Sequence, residues 1–429
     1  MRMSVHHSVG SRHALSKVHS VAPKLRRPVR AAVAAAPSGE PKTPVASFTQ
    51  GVTLDPTAAL GPDYSAVQRN LALELVRVTE AAALAAGRWF GKGDKNAADQ
   101  AAVDMMRKVL NGVQMDGVVV IGEGEKDEAP MLYCGERIGD GSYPKVDIAV
   151  DPLDGTTTIA QGRNGAVSVI ALAGQGCMFD PGPCMYMEKL ALGPGVDPEL
   201  VNLSFPIKHN LKWIARSLQK PISDVTVLIL DRPRHADMIR EVREAGARIR
   251  FISDGDVAGA IEVAKAGAPV DVLMGIGGTP EGVIAAAALK CMGGSLQGRL
   301  WPRNEEERRK ALDRGYQLDK ILMTNDLVRG DDVFFAATGV SDGDLLKGVR
   351  YYSGGASTNS LVMRCKSGTV RFVETYHKWT KPSVTNLSDE EMEEMGELGH
   401  RMRAKSVVSM GAQRVGGAGH RLGSENGPW

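Results

Sequence analysis

Asp151-Pro152-Leu153-Asp154-Gly155-Thr156 closes a β-branched run, Val146-Asp147-Ile148-Ala149-Val150. Read together, a strand delivers two carboxylates, a tight glycine turn and a hydroxyl to one edge of a sheet. The Asp-x-x-Asp spacing lets both carboxylates face one point once the strand ends. All-oxygen donors of this kind suit hard divalent ions such as Mg²⁺. Thr156 stands beside them, placed to orient a water. The plainer alternative is a strand-ending turn with capping aspartates, since Asp and Gly are ordinary turn residues.

Three further oxygen-rich segments weigh against that alternative. They are Gly91-Lys92-Gly93-Asp94-Lys95-Asn96-Ala97-Ala98-Asp99, Ile121-Gly122-Glu123-Gly124-Glu125-Lys126-Asp127-Glu128, and Gly275-Ile276-Gly277-Gly278-Thr279-Pro280-Glu281-Gly282. The second and third of these each follow an apolar strand. Small neighbours let a carboxylate and the backbone approach a ligand closely, and ligands of α/β folds gather at strand ends. Each segment alone is weakly specific: Gly-Glu-Gly-Glu suits a solvated turn, and Pro280 suits the first position of a helix.

Periodicity supplies the scaffold. Val67, Leu71, Leu75, Val78 and Ala82 fall at helical spacing within 65–90, and 97–110 forms a second helix. Strands are expected at 117–121, 146–150 and 166–173, with 174–200 irregular because it is rich in Gly and Pro. Strands at 225–230, 248–252 and 270–274 then alternate with helices at 235–245, 256–266 and 280–292. That alternation argues a layered α/β architecture.

The chain has 429 residues, 43% hydrophobic and 24% charged, so two or three cores are expected. No run is long and apolar enough to span a bilayer. The 52 Lys/Arg exceed the 50 Asp/Glu only because residues 1–36 hold seven basic residues and no acid; the remainder carries 45 against 50. That balance excludes a nucleic-acid footprint. The acid-free start, rich in Arg, Ser, Ala and His, reads as a transit peptide for the chloroplast stroma, with mitochondrial and cytoplasmic locations as alternatives. Residues 37–64 read as a linker, 65–220 as an N-terminal metal-binding subdomain, 221–380 as a C-terminal substrate-binding subdomain, and 381–429 as a variable tail. Five scattered cysteines form no zinc spacing. Cys177 and Cys184 flank a Pro/Gly turn and are a candidate pair for a regulatory disulfide, but ordinary free thiols are the favoured reading.

Taken with Met185-Tyr186-Met187-Glu188-Lys189-Leu190, Arg232-Pro233-Arg234-His235 and Ser253-Asp254-Gly255-Asp256, these segments resemble the class II fructose-1,6-bisphosphatase family. Within it they are most similar to the dual fructose-1,6-/sedoheptulose-1,7-bisphosphatases of cyanobacteria. The similarity runs from about Arg69 to about His377, and the tail departs from it. The resemblance implies the α/β sandwich shared with inositol phosphatases, two α/β subdomains with a metal site between them, and a homotetramer with possible AMP regulation. It places metal ligands on Asp99, Glu123, Asp151, Asp154 and Glu281, for two or more Mg²⁺ or Mn²⁺ ions. Enterobacterial members carry Glu where Asp154 stands, which keeps the carboxylate.

Substrate contacts fall, by the same resemblance, on Asp154, Gly155, Thr156, Tyr186, Arg232, Pro233, Arg234, Asp254, Gly255, Asp256 and Gly278. Some bacterial members have Lys where Arg232 stands, and Arg grips phosphate at least as well. Lys95 and Asp127 match positions needed for activity in relatives. The residue types suit phosphate-monoester hydrolysis. Thr156 and Asp127 are placed to steer a water and take its proton, Lys95 to offset phosphate charge, and Arg232 and Arg234 to grip a second phosphate. Asp254 and Asp256 suit sugar hydroxyls, and they equally suit a helix N-cap. His235 reads as a helix-start residue without a catalytic role. The expected function is removal of the 1-phosphate of fructose 1,6-bisphosphate and/or sedoheptulose 1,7-bisphosphate in the plastid Calvin cycle. A gluconeogenic role, an inositol-monophosphatase-type activity and a non-catalytic sugar-phosphate sensor are the alternatives.

Overall fold

Strands buried on both faces dictate how this protein is layered. Ile148 and Val150 lie in one apolar cluster and Ala149, between them, in another. Val169 and Ala171 alternate in the same way with Ile170 and Leu172, as do Phe335 and Ala337 with Phe334 and Ala336. Successive side chains of a strand point to opposite faces, so a sheet with two apolar faces must be covered twice. The computed structural model describes residues 71–124 and 131–379. The expected transit peptide, linker and tail lie outside the described residues. Among the described residues no helix is long and apolar enough to cross a membrane.

Helices α1 (Leu71–Ala86) and α2 (Lys95–Leu110) precede β1 (Asp116–Ile121), β2 (Arg137–Ile138) and β3 (Lys145–Asp154). Next come α3 (Thr156–Ala160), β4 (Val167–Gly174), β5 (Tyr186–Leu192) and α4 (Ile207–Ser217). Strand and helix then alternate through β6 (Thr226–Leu230), α5 (Ala236–Glu244), β7 (Arg248–Ile252), α6 (Val257–Glu262), β8 (Val272–Gly278) and α7 (Thr279–Met292). The described chain ends with β9 (Ser295–Leu300), α8 (Glu305–Asp313), β10 (Leu322–Met323), α9 (Thr324–Leu327), β11 (Phe334–Gly339), β12 (Arg350–Tyr352), β13 (Gly355–Arg364) and β14 (Thr369–Lys378).

Two mixed sheets result. One runs β12-β13-β11-β4-β3-β1-β2 with β14 on the free side of β13, and the other runs β10-β9-β5-β8-β6-β7. Helices α1 and α2 share a core with the outer face of the first sheet, and α4 and α5 with the outer face of the second. Helices α6 and α7 share one core with the inner faces of both sheets. The order is therefore helix, sheet, helix, sheet, helix, the layered α/β sandwich expected from the alternation.

Three local expectations needed correction. β3 does not stop at Val150: it continues through Asp151 to Asp154, with an irregular register against β4 between those two residues. The bulge, rather than the strand's end, brings both aspartates to one side. The stretch 174–200 is not wholly irregular, because β5 lies within it at the centre of the second sheet. Its Glu188 and Lys189 masked a strand that is apolar on both sides of them. The division at 220/221 does not follow the sheets either. β5 precedes it yet pairs with β8, and β11 to β14 follow it yet return to the first sheet.

Helix α7 fits between two sheets because its middle is small. Ala285, Ala286, Ala287 and Ala288 are all buried. Such an interior has no room for added methylenes. Ala286→Leu is expected to lower unfolding free energy by about 1–3 kcal/mol, read as a lower urea midpoint. An unchanged midpoint would show the helix less tightly held than this packing requires.

Candidate active site

The carboxyl ends of the parallel strands converge. β1 runs parallel to β3 in the first sheet, and β6 runs parallel to β7 and β8 in the second. Glu123 follows the end of β1, Asp151 and Asp154 close β3, Arg232 and Arg234 follow β6, Asp254 to Asp256 follow β7, and Gly277 and Gly278 end β8. With Asp99 from α2, Thr156 from α3, Tyr186 from β5 and Glu281 from α7, these residues line a cleft of about 350 Å³. Strand C-termini at a change of sheet connectivity are the usual ligand site of α/β folds.

Backbone shape brings the carboxylates together. Gly155 takes a left-handed conformation (φ 102°), which turns the chain sharply from β3 into α3. Gly278 caps α7, and a Cβ there would fall inside the Glu281 carboxylate. Glu281 thus sits in the first turn of α7, where the helix dipole favours an anion. Asp154 is almost fully buried and accepts a hydrogen bond from Val257 N at 3.1 Å. Gly255 presses on it so closely that any side chain would collide with its oxygens.

Electrostatics marks the cluster as costly. Burial, Asp99 and Glu281 together push the Glu123 carboxyl up to about 8. Burial raises Asp99, Asp151, Asp154 and Glu281 as well, and for Asp151 the neighbours Asp154, Glu281, Glu123 and Asp99 add to it. Glu281 Oε2 is buried without a hydrogen-bond partner. Among the described residues no three of these side chains stand close enough round one point to enclose an ion as placed. The donor set nonetheless fits one chemistry: oxygen ligands only, several of them carboxylates, with one buried acceptor unsatisfied. That set suits Mg²⁺ or Mn²⁺ and not a thiolate-seeking metal.

Cations face the carboxylates across the cleft. Arg232 donates to Ser253 O at 2.6 Å and to Asp254 Oδ1 at 3.2 Å. Arg234 donates through Nε and Nη2 to Ile276 O at 3.1 and 2.7 Å. Its guanidinium carbon lies 5.2 Å from the centre of the Tyr186 ring, and that of Arg303 lies 5.7 Å from the same ring. Pro233 opens a short 3₁₀ turn, Pro233–His235, with Arg232 just before it and Arg234 within it; Pro233 itself is not in the cleft wall. Thr157 N donates to Asp254 Oδ2 at 3.2 Å, tying the β7 end to α3.

The structure brings together every expected metal and substrate residue except Pro233. Thr156 lines the cleft. Lys95 is exposed at the first residue of α2, outside the cleft wall. Asp127 lies outside the described residues. Asp256 stands at the N-cap position of α6 without a capping hydrogen bond. Its carboxylate is instead gripped by Lys189 Nζ at 2.9 and 2.7 Å.

Lys189 was not foreseen as a site residue. It is 1% exposed, and its charge also eases the burden on Glu281. The signal was present in a lysine at an inward position of a strand, but only once the strand itself was recognised. His235 does more than start a helix. Ile276 N donates to its Nε2 at 2.8 Å, so Nδ1 carries the proton and donates to Leu230 O at 2.7 Å. The ring straps the arginine turn to β6 and β8, and burial lowers its basicity, which keeps it neutral.

Residues 69–377 match the family described as bacterial fructose-1,6-bisphosphatase, glpX-encoded. A protein of Synechococcus sp. (strain JA-2-3B'a(2-13)) named D-fructose 1,6-bisphosphatase class 2/sedoheptulose 1,7-bisphosphatase is 46% identical over 336 residues, 72% of this chain and 96% of that protein. A protein of the same name from Synechococcus sp. (strain JA-3-3Ab) matches to the same extent. The fructose-1,6-bisphosphatase class 2 of Haemophilus influenzae is 48% identical over 324 residues, 72% of this chain and 97% of that protein. Among solved structures, the extragenic suppressor from Pyrococcus furiosus covers 45% of this chain and 68% of its own at 16% identity. Its TM-score of 0.22 is too low to bear on the fold.

Two outcomes follow from the site's charges. A carboxyl raised from 4.5 to about 8 holds its proton more tightly in the native state. The stability this confers is full below pH 4.5 and is lost as pH climbs to about 8. The thermal midpoint of metal-stripped protein should therefore fall across that window, and Glu123→Gln should flatten the fall. A midpoint that rises with pH there would contradict the assigned burial. Removing Lys189 strands Asp256: Lys189→Met should cost about 3–5 kcal/mol in urea unfolding, and Asp256→Asn in the same chain should recover part. A cost below about 1 kcal/mol would place the pair in the class of solvated surface bridges.

Proposed function

The chain belongs to the class 2, glpX-type fructose-1,6-bisphosphatase family, and we propose that its cleft removes the 1-phosphate of fructose 1,6-bisphosphate and of sedoheptulose 1,7-bisphosphate. The observation that carries this reading is the meeting of Asp99, Glu123, Asp151, Asp154 and Glu281 with Arg232 and Arg234 in one cleft of about 350 Å³. A monophosphate site has no use for a second cationic grip, and a bisphosphate site requires one.

Asp99, Glu123, Asp151, Asp154 and Glu281 are the residues that would hold two or more Mg²⁺ or Mn²⁺ ions. When bound, such ions supply Lewis acidity, acidify a water and stabilise the attacking and leaving oxygens of an in-line displacement. The chain's own groups do the rest. The Thr156 hydroxyl, at the first residue of α3, orients the incoming water. Asp127 is assigned the role of taking its proton, and Lys95 that of offsetting phosphate charge as substrate arrives. Arg234 is held by Ile276 O through one edge of its guanidinium. That leaves Nη1 to donate to the phosphate that stays. Arg232 serves the same phosphate, with Asp254 fixing its orientation. Asp256, gripped by Lys189, accepts a sugar hydroxyl, and the Tyr186 ring walls the sugar.

The cyanobacterial relatives and the acid-free, basic residues 1–36 support work in the chloroplast stroma, where this chemistry serves the Calvin cycle. Assembly as a homotetramer and control by AMP belong to the same reading, supported by family membership alone.

Phosphate release from each bisphosphate, measured with Mg²⁺, with Mn²⁺ and with EDTA, tests it. EDTA should abolish release, and Glu281→Ala should lower kcat/KM on the order of 10³-fold. Arg234→Ala should raise KM about tenfold to hundredfold with a smaller change in kcat, because it contacts a phosphate that does not react. Cleavage of inositol monophosphate with neither bisphosphate turned over would overturn the proposal, as would binding of bisphosphates without hydrolysis under any metal.

A further inference from the structure

Helix α7 carries Glu281 in its first turn and Cys291 in its last. The far end of this helix meets the turn between β13 and β14, where Cys365 immediately follows β13. Both cysteines are organised around the same peptide groups. Cys365 N donates to Val333 O at 2.9 Å, and the Cys291 thiol lies 3.8 Å from that oxygen. The Cys365 thiol lies 3.7 Å from Lys290 O, the carbonyl bonded to the Cys291 amide. The two thiols are close enough to shift each other's acidity. No step of the phosphatase chemistry uses either one.

We propose that Cys291 and Cys365 form a thiol–disulfide modification site, closed to an intramolecular disulfide by a low-molecular-weight disulfide of the glutathione class. Cys365 is the attacking group. It is the more accessible of the two, and the Cys291 thiol and the Lys290 ammonium favour its thiolate, which holds its proton only to about 7. Its sulfur bonds to one sulfur of the oxidant, whose S–S bond breaks and releases one glutathione thiol after protonation. Cys291 then loses its proton to solvent and its sulfur attacks Cys365 Sγ. The mixed disulfide breaks and the second glutathione thiol leaves. Two protein thiols are oxidised and one small disulfide is reduced to two thiols. The neighbouring Cys365 thiol and then burial raise the Cys291 thiol, which makes it the resolving group and not the initiating one. Cys184 is sealed, and burial and Glu307 push its thiol up. The Cys177–Cys184 pairing considered from sequence is thereby disfavoured.

The test uses the full chain, reduced, freed of reductant, incubated with glutathione disulfide, alkylated and digested. Two of the five thiols should escape alkylation, and the peptides holding Cys291 and Cys365 should appear joined by a disulfide. In Cys291→Ser the second step is blocked, so one glutathione should remain on Cys365. The thermal midpoint of the wild-type chain should rise on oxidation, since the cross-link ties distant segments of the unfolded chain. That of Cys365→Ser should not. Alkylation of both thiols in the wild-type chain would overturn the proposal. So would a glutathione adduct on Cys365 that never resolves, or a disulfide between Cys177 and Cys184 in its place.

Discussion

Mutual repulsion among five carboxylates, one buried and four half-buried, is the constraint around which the rest of this structure is arranged. Each is taken partly or wholly out of water, and each raises the cost of ionising its neighbours. Left to local preference, such groups would point outward into solvent. They are held together by backbone that has no alternative course. The bulge in β3 aligns Asp151 and Asp154, the left-handed Gly155 turns the chain away beyond them, and side-chain-free Gly278 lets Glu281 fold back against its own helix start. The backbone therefore bears the cost of a grouping that the side chains' own electrostatics opposes.

That placement depends on α7. The helix lies in the inner layer with both sheets packed against it, so the position of Glu281 is referred to Asp151 and Asp154 on one side and to the β6–β8 ends on the other. Its alanine-rich middle makes the close approach of the sheets possible. A bulkier helix would separate the carboxylates of the first sheet from the arginines of the second. Packing in the inner layer and the geometry of the cleft are thus one property seen from two ends of a helix.

The wall of the cleft away from the carboxylates follows the same logic with opposite charge. Arg232 and Arg234 project from a turn that neutral His235 straps to two strands. Tyr186 faces the guanidinium of Arg234. Lys189, inaccessible to water, neutralises Asp256 from below. These contacts hold both arginines in the cleft lining, opposite the carboxylates of the first sheet. The order of the two walls matches the needs of a substrate with one phosphate to lose and one to keep.

Much of this was legible in the chain. Strand periodicity gave the α/β alternation from 225 to 292, and the four oxygen-rich segments named the carboxylates that line the cleft, because a strand end followed by Gly and an acid has a strong local meaning. Local patterns could not show that β5 exists inside a Gly/Pro-rich stretch. Its Glu188 and Lys189 interrupt the apolar run, and only the neighbours β8 and β9 account for burying the lysine. Nor could they show that β11 to β14 return to the first sheet, since strand partners are chosen by contacts far apart in sequence. Lys189 against Asp256 and Cys291 against Cys365 are pairings of the same kind. The sequence by itself determined which chemistry the residues can perform; the tertiary structure alone decided which of them meet, because proximity between distant segments is set by how the layers close on one another and not by any residue's neighbours along the chain.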